Sequence, residues 1–94
     1  MPDKRIRYSA HLLWRLALRG IEPALPARLI REASERYLDA VTGYRIAVAA
    51  GEYRRATHLM AVVYQETKTE IIVVTTHPLS QADVERKLWS GRWK

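Results

Sequence analysis

The sequence predicts an α+β fold: an N-terminal helical hairpin packed on a curved antiparallel sheet of three or four strands, with a short C-terminal helix. Three observations support this prediction. Apolar residues recur at helical spacing as far as about residue 36. From there to residue 78 the chain is rich in β-branched residues and broken by short polar turns. A new helix-start signal then appears at Ser80.

The first predicted helix runs from about Ser9 to Arg19. Ser9 is a good N-cap residue, because its hydroxyl can accept a hydrogen bond from an unpaired backbone N–H. Gly20 is well placed to end this helix, since glycine readily adopts a left-handed backbone. The predicted buried stripe consists of Leu12, Leu13, Leu16 and Ala17. A polar stripe beside it contains His11, Arg15 and Arg19.

A second helix is predicted to begin between Pro23 and Pro26, because proline is tolerated in a first helical turn. The short connection to the first helix implies an antiparallel helical hairpin. The apolar face of this second helix consists of Leu25, Leu29, Ile30 and Ala33.

The pattern changes to that of strands after Arg36. Residues 37–41 and 44–49 are predicted strands around a turn at Thr42-Gly43, and Gly51 predicts another turn. Residues 59–64 and 71–76 are apolar at every position or nearly so, which is typical of central strands covered on both faces. The helical hairpin can cover one face. The other face requires the closing helix or a partner chain, or it forms a shallow cleft.

The last predicted helix follows Pro78. Ser80 is its predicted N-cap, and Asp83 lies where a carboxylate can accept from the remaining free donors. Val84 and Leu88 are expected to point inward, and Gly91 is expected to cap the C-terminal end.

Composition limits the class of protein. The 94 residues fit one domain, residues 1–94, and 48% of them are hydrophobic, which is enough for a core. There is no cysteine, so neither a disulfide framework nor a cysteine zinc site is expected. No apolar stretch reaches 18 residues and no signal-peptide pattern follows the basic N-terminus, so we expect a cytoplasmic protein without a membrane span.

The net charge is +6, and twelve of the 16 basic residues are arginine. Arginine presents a planar fork of donors that suits phosphate, so a small domain of this charge is attracted to anionic polymers such as RNA. The alternative is that the excess charge only keeps the protein soluble or reflects a bias of composition.

Several short segments together resemble a small prokaryotic domain family of unknown function, placed near the RelE/ParE toxin superfamily. The resemblance covers roughly Arg7 to Trp93 and depends on the order of several weak motifs. These motifs are residues 8–11, Arg15 and residues 19–21, residues 39–47, residues 76–79, Arg86 and residues 90–93.

This resemblance implies the fold described above. RelE-like members of the superfamily cut messenger RNA on the ribosome, whereas ParE-like members poison DNA gyrase. No catalytic residue can be transferred from the RelE-like members, because none of their active-site residues aligns here by motif.

Two histidines are the candidate catalytic residues. His77 lies at the C-terminal edge of a predicted central strand, where a neutral imidazole could accept a proton from a ribose 2′-hydroxyl. His11 lies one helical turn before Arg15, so the pair could present a proton donor and a phosphate ligand on one face. The alternatives are that His77 bonds backbone near Pro78, and that His11 packs against the C-terminal tryptophan.

The C-terminal segment is the best candidate for nucleic-acid binding, because it combines four cations with two tryptophans. Arg86 and Arg92, together with Arg15, are expected to bind phosphate, and Trp93 to stack on a base. The alternative is that Trp89 and Trp93 cover the sheet while the cations point to water. The histidines lack metal-ligand spacing, so we predict neither a metal nor another cofactor.

The sequence therefore favours a toxin-like basic domain that binds RNA, on or off the ribosome, with endoribonuclease activity that needs no metal. The alternative is a non-enzymatic protein-interaction module of the same fold. Such a module would bind an antitoxin-like protein, which adds a strand to the sheet or covers its apolar face. A homodimer is a further expectation.

Overall fold

The computed structural model describes residues 4–94, which form three helices and one five-stranded sheet. The elements are β1 (Arg5–Tyr8), α1 (Ala10–Arg19), α2 (Leu25–Glu32), β2 (Glu35–Leu38), β3 (Arg45–Tyr53), β4 (Ala56–Glu66), β5 (Glu70–Pro78) and α3 (Gln81–Trp89). The strand order is β1-β5-β4-β3-β2, with β1 parallel to β5 and every other pair antiparallel. The predicted α+β class is confirmed, but the prediction of an antiparallel sheet of three or four strands is wrong.

Strand β1 was not predicted from the sequence. The exposure of its side chains alternates, as is usual for an edge strand. Arg5 and Arg7 are exposed, while Ile6 and Tyr8 pack against the core below the helices. Four residues with two arginines are too short and too polar to stand out as a strand. β1 pairs only with residues 70–73 of β5, so it does not reach the C-terminal half of that strand.

One face of the sheet is covered by α1 and α2. The two helices contribute the buried side chains of Leu12, Leu16, Leu25, Leu29 and Ile30, which pack on Ala47, Met60, Val62, Tyr64, Ile71 and Val73. Each fully buried leucine or isoleucine contributes roughly 1.5–3 kcal/mol. This core fixes where α1 ends relative to β5.

The other face of β3 and β4 is covered by α3 and the C-terminal segment. Val84 and Trp93 pack there with Ile46, Val48 and Ala61. The backbone of the segment pairs with the end of β2: Leu38 and Lys94 exchange two N–H···O bonds of 3.0 Å each. The closing helix and the C-terminal segment therefore cover the second face of β3 and β4.

The capping signals are confirmed. The Ser9 hydroxyl accepts from the Leu12 N–H at 3.0 Å, and Gly20 takes a left-handed φ of 67° directly after α1. Ser80 and Asp83 form a reciprocal capping box at the start of α3. α2 begins at Leu25, inside the predicted interval.

Four local predictions are wrong. β2 ends at Leu38, because the Asp39 carboxylate accepts from the N–H groups of Val41 and Thr42 and starts the turn early. Gly51 is not in a turn: it lies in β3, where a Cβ would come within 3.2–3.4 Å of side chains from β4 and α2. Leu13 and Ala17 lie on the exposed side of α1, and Leu88 is 41% exposed on α3.

The turn between β3 and β4 is a two-residue loop formed by Arg54 and Arg55, whose φ angles are 51° and 64°. Tyr53 and Ala56 close it as a pair. Positive φ at both central residues is the signature of a type I′ turn, which favours Asn-Gly and is unfavourable for arginine. Within residues 4–94, no helix is long and apolar enough to cross a membrane.

We expect the double substitution Arg54→Asn/Arg55→Gly to stabilise the protein by about 1–2 kcal/mol, because Asn-Gly adopts this turn without the steric cost that arginine bears. Loss of the stacking of Arg54 on Tyr53, 5.1 Å from ring centroid to guanidinium carbon, offsets only part of this gain. Thermal unfolding should show a rise in Tm of roughly 4 °C or more. An unchanged or lower Tm would contradict the inferred strain.

Candidate functional site

The end of β5 that β1 does not reach is the centre of the candidate site. Arg19, the last residue of α1, donates from Nη1 to the carbonyl oxygen of Thr76 at 2.8 Å. The next residue, His77, is half-buried and opposite Ala61 of β4. Helix α3 begins four residues after His77 and brings Asp83 and Lys87 into its electrostatic environment.

The environment of His77 favours the neutral imidazole. Burial lowers the pKa of His77 most, the positive charges of Arg19 and Lys87 lower it further, and the negative charge of Asp83 opposes them. A neutral imidazole at physiological pH has one nitrogen free to accept a proton. This residue is therefore suited to act as a general base beside two cations.

His11 lies at the opposite end of α1 from this site. It is exposed in the first turn, and its ring centroid is 6.0 Å from that of Trp14. Eight residues separate it from Arg19, which corresponds to about 12 Å along a helix. The structure does not bring His11 and His77 together, and His11 packs on Trp14 rather than on the C-terminal tryptophan.

Arg15 lies between these two ends. Together with Trp14, Leu18 and Arg19 it lines a shallow groove of about 220 Å³ on α1. The Trp14 side chain is 60% exposed, so its ring is available for a base to stack on. The structure thus places one predicted phosphate ligand, Arg15, one turn from Arg19.

Arg86 is separated from the groove on α1 and extends into solvent from α3. Its guanidinium pairs with the Asp83 carboxylate three residues earlier at 3.0 Å, and its side chain is 72% exposed. Exposed pairs of this kind contribute little to stability and exchange readily. Arg86 is therefore accessible to an anion.

Arg92 and Trp93 have structural contacts. Arg92 donates from Nε to Asp39 Oδ1 at 2.8 Å, and Trp93 is only 7% exposed, with its ring stacked on Tyr37 at 5.5 Å. A ring in this position cannot stack on a base unless the C-terminal segment detaches. Trp89, the other tryptophan of the segment, is 90% exposed and does not cover the sheet.

The Asp39 carboxylate holds this segment in place. The hydrogen bond from Arg92 is the main cause that lowers the pKa of Asp39 to about 2, and the N–H groups of Thr42 and Val41 lower it further against the effect of burial. The same contact raises the pKa of Arg92. Arg92 therefore joins the C-terminus to the β2–β3 turn.

Three residues of the candidate surface, Arg19, Lys87 and Trp14, were not predicted from the sequence. Arg19 stood in the polar stripe with His11 and Arg15, and its position directly before the helix-ending Gly20 was the available signal. Lys87 carried no signal, because its proximity to His77 depends on how α3 folds back on the sheet. Among residues 4–94, no three His, Asp or Glu side chains form a group that could hold a metal ion.

Comparisons with known proteins add no relative: no family model, curated protein or solved structure matches the chain. The resemblance to a family near the RelE/ParE superfamily therefore stays a prediction. The geometry of the side chains is the basis of the functional interpretation that follows.

We expect Asp39→Ala to lower the free energy of unfolding by about 1–3 kcal/mol, because it removes the acceptor of two backbone N–H groups and of Arg92. Urea unfolding followed by tryptophan fluorescence measures this change. Glu85→Ala, at an exposed position of α3, removes one carboxylate without these contacts and should leave stability within about 0.5 kcal/mol. Equal stability of the two variants would contradict this role of Asp39.

The same carboxylate predicts a pH dependence. Its folded pKa of about 2 is below the ordinary value of 3.8, so its stabilising effect is present above pH 3.8 and is lost as the pH falls toward 2. Between these values the stability difference between the parent protein and Asp39→Ala should shrink. A difference that stays constant down to pH 2 would contradict the ion pair.

Proposed function

We propose that this protein is a toxin-like RNA-binding domain that cleaves phosphodiester bonds without a metal ion, with His77 as the general base. The observation that carries this proposal is the half-buried imidazole at the end of β5, with its pKa lowered by burial and by the charges of Arg19 and Lys87. Arg15 and the exposed ring of Trp14 form a further RNA contact on α1, which covers the other face of the sheet from His77.

In the proposed reaction, His77 accepts the proton of a ribose 2′-hydroxyl, and the 2′-oxygen attacks the adjacent phosphorus. The bond from phosphorus to the 5′-oxygen breaks, which leaves a 2′,3′-cyclic phosphate and a 5′-hydroxyl whose proton comes from water. His77 then returns its proton to solvent. Arg19 keeps donors beyond the one bound to Thr76, and these would stabilise the negative charge that develops on the phosphate oxygens.

The proposed site has fewer catalytic residues than the sequence predicted, and a different tryptophan. His11 no longer shares the reaction with His77, since it lies about two turns of helix away from Arg19. Trp14 replaces Trp93 as the ring that stacks on a base. RNA on the ribosome, an antitoxin-like protein, a homodimer and a cytoplasmic location remain predictions about its partners and setting.

We expect His77→Ala to abolish cleavage of a single-stranded RNA, by a factor of about 10² or more, because the general base is lost. The measurement is gel analysis of end-labelled RNA incubated with purified protein, together with the growth and total RNA of cells that express it. His11→Ala is the matched control, as an exposed histidine away from the site, and should cleave at the parent's rate. Equal rates for His77→Ala and the parent would refute the assignment.

The proposed base also predicts the pH profile. Because the pKa of His77 lies below the usual histidine value of roughly 6.5, the rate should be constant through neutral pH and fall only on the acidic side of that value. Single-turnover rates across this range test it. A rate that falls from pH 8 to pH 7 would point to a different titrating group.

A second candidate function is favoured by the apolar surface of α1. The outer face of α1, defined as Ala10, Leu13, Trp14, Ala17 and Leu18, is exposed, and Leu18 is 67% exposed. Exposed apolar faces of this kind mark protein-interaction sites. The stripe of His11, Arg15 and Arg19 borders this face, so the partner that fits is an acidic amphipathic helix.

A designed peptide helix with leucines along one face and glutamates beside them tests this candidate in isothermal titration. The parent protein should bind it, and Leu18→Glu should weaken binding at least tenfold, because the new charge lies within the apolar contact and faces the acidic rim of the peptide. Leu88→Glu, which adds the same charge on α3, should bind as the parent does. Equal affinity of the two variants would exclude the outer face of α1 as the contact.

A further inference from the structure

A second cleft lies at the tip of the β3–β4 hairpin, where the hairpin meets the start of α2. It has a volume of about 590 Å³. Its lining consists of Gly20, Glu22, Ala24, Leu25, Arg28, Glu52, Arg54 and Arg55. A cleft of this size is in the range of small-ligand sites and is large enough for one nucleotide. Gly51 is what lets the cleft form, since its missing Cβ admits Leu25 of α2 against the hairpin.

The charged side chains that line this cleft are not paired with one another. Among residues 4–94, none of Arg28, Arg54, Arg55, Glu22 and Glu52 forms an ion pair or a side-chain hydrogen bond. The three guanidinium groups and two carboxylates of these lining residues therefore keep their hydrogen-bonding capacity free. This differs from Arg86 and Arg92, which are both paired with aspartates.

The backbone gives an independent observation. Arg54 and Arg55 both have positive φ, a conformation that L side chains rarely adopt, in a turn that Asn-Gly would form without strain. Strained backbone of this kind clusters at active sites and ligand-binding sites. The turn directs two adjacent arginines to the rim of the cleft.

The cleft and His77 lie at the same end of the sheet but on opposite faces, since His77 shares the α3 face with Ala61 whereas Leu25 of the cleft packs on the α1 and α2 face. Gly20, which lines the cleft, directly follows Arg19, which binds the carbonyl of Thr76. The last pair between β4 and β5 is Met60 with Pro78, so residues 56–58 of β4 project past the end of β5 together with the hairpin tip. The cleft and His77 thus lie at the same end of the molecule, separated by the end of α1.

We propose that this cleft binds one nucleotide of the single-stranded RNA that is cut at His77, with the strand passing around the end of the sheet between the two; this inference rests on the proposed function. Arg28, Arg54 and Arg55 bind its phosphate, as guanidinium groups do. Glu22 and Glu52 accept hydrogen bonds from the ribose 2′-hydroxyl or from an exocyclic amino group of the base. The two carboxylates argue against a duplex backbone, because a continuous row of phosphates would be repelled there.

The binding experiment separates this inference from catalysis. His77→Ala protein, which does not cut, is titrated into a fluorescent, unstructured 12-nucleotide RNA, and Kd is measured by anisotropy at several salt concentrations. Adding Arg28→Ala or Arg55→Ala should weaken binding about five- to tenfold and lower the slope of log K against log salt by about 1. Arg45→Ala is the control, since it removes the same charge at the opposite end of β3.

Two further variants sharpen the test. Arg54→Asn/Arg55→Gly, expected to be the more stable protein, should bind the RNA at least tenfold more weakly, which excludes misfolding as the cause. Glu22→Gln/Glu52→Gln should reduce the preference for this RNA over DNA of the same sequence, because the acceptors for the 2′-hydroxyl are weakened.

The outcomes distinguish the two proposals. If Arg28→Ala and Arg55→Ala bind RNA as tightly as Arg45→Ala does, the cleft is not a nucleotide site, while the function proposed for His77 stands. If His77→Ala and the parent both fail to bind RNA at 50 mM salt, the proposed function and the inference fall together. If Arg28→Ala and Arg55→Ala both lose affinity for the RNA while Arg45→Ala does not, the cleft is supported as a nucleotide site.

Discussion

Strand β4 is apolar on both faces, and the arrangement of the other elements follows from the need to cover it twice. Met60, Val62 and Tyr64 face the core under α1 and α2, whereas Ala61 and Val63 face α3 and Trp93. Burying such a strand requires pairing on both edges as well, which β3 and β5 provide. The ends of these three strands then set where the functional groups can lie.

The candidate sites lie at one end of the sheet because the strands there have unequal lengths. β1 stops after four residues and leaves the outer edge of the end of β5 to Arg19, while the β3–β4 hairpin extends past Pro78. The end of α1 lies between them. Cations from α1, α2, α3 and the hairpin converge on this region, while the Asp39–Arg92 pair keeps the C-terminal segment folded onto the opposite part of the sheet.

Stability and the proposed function make opposite demands on the arginines at the hairpin tip, whereas the arginine and tryptophan at the C-terminus serve stability alone. The two arginines of the turn adopt an unfavourable backbone conformation, and this conformation exposes their two guanidinium groups. Arg92 and Trp93 show the reverse: residues whose types suggest nucleic-acid binding are buried or paired, and their role is to close the second core. Residue type alone does not separate these two uses of arginine and tryptophan.

The sequence by itself determined the α+β class, the N-caps Ser9 and Ser80, the turn after α1, and the central strands β4 and β5. These features depend on local periodicity and on hydrogen bonds between near neighbours. The sequence also identified His77 as a strand-end histidine. Only the tertiary structure decided that β1 exists, that His11 and His77 are apart, that Trp93 is buried and Trp14 exposed, and that Arg28 lines the same cleft as Arg54 and Arg55. Each of these depends on pairing or packing between segments distant in sequence, which local pattern does not encode.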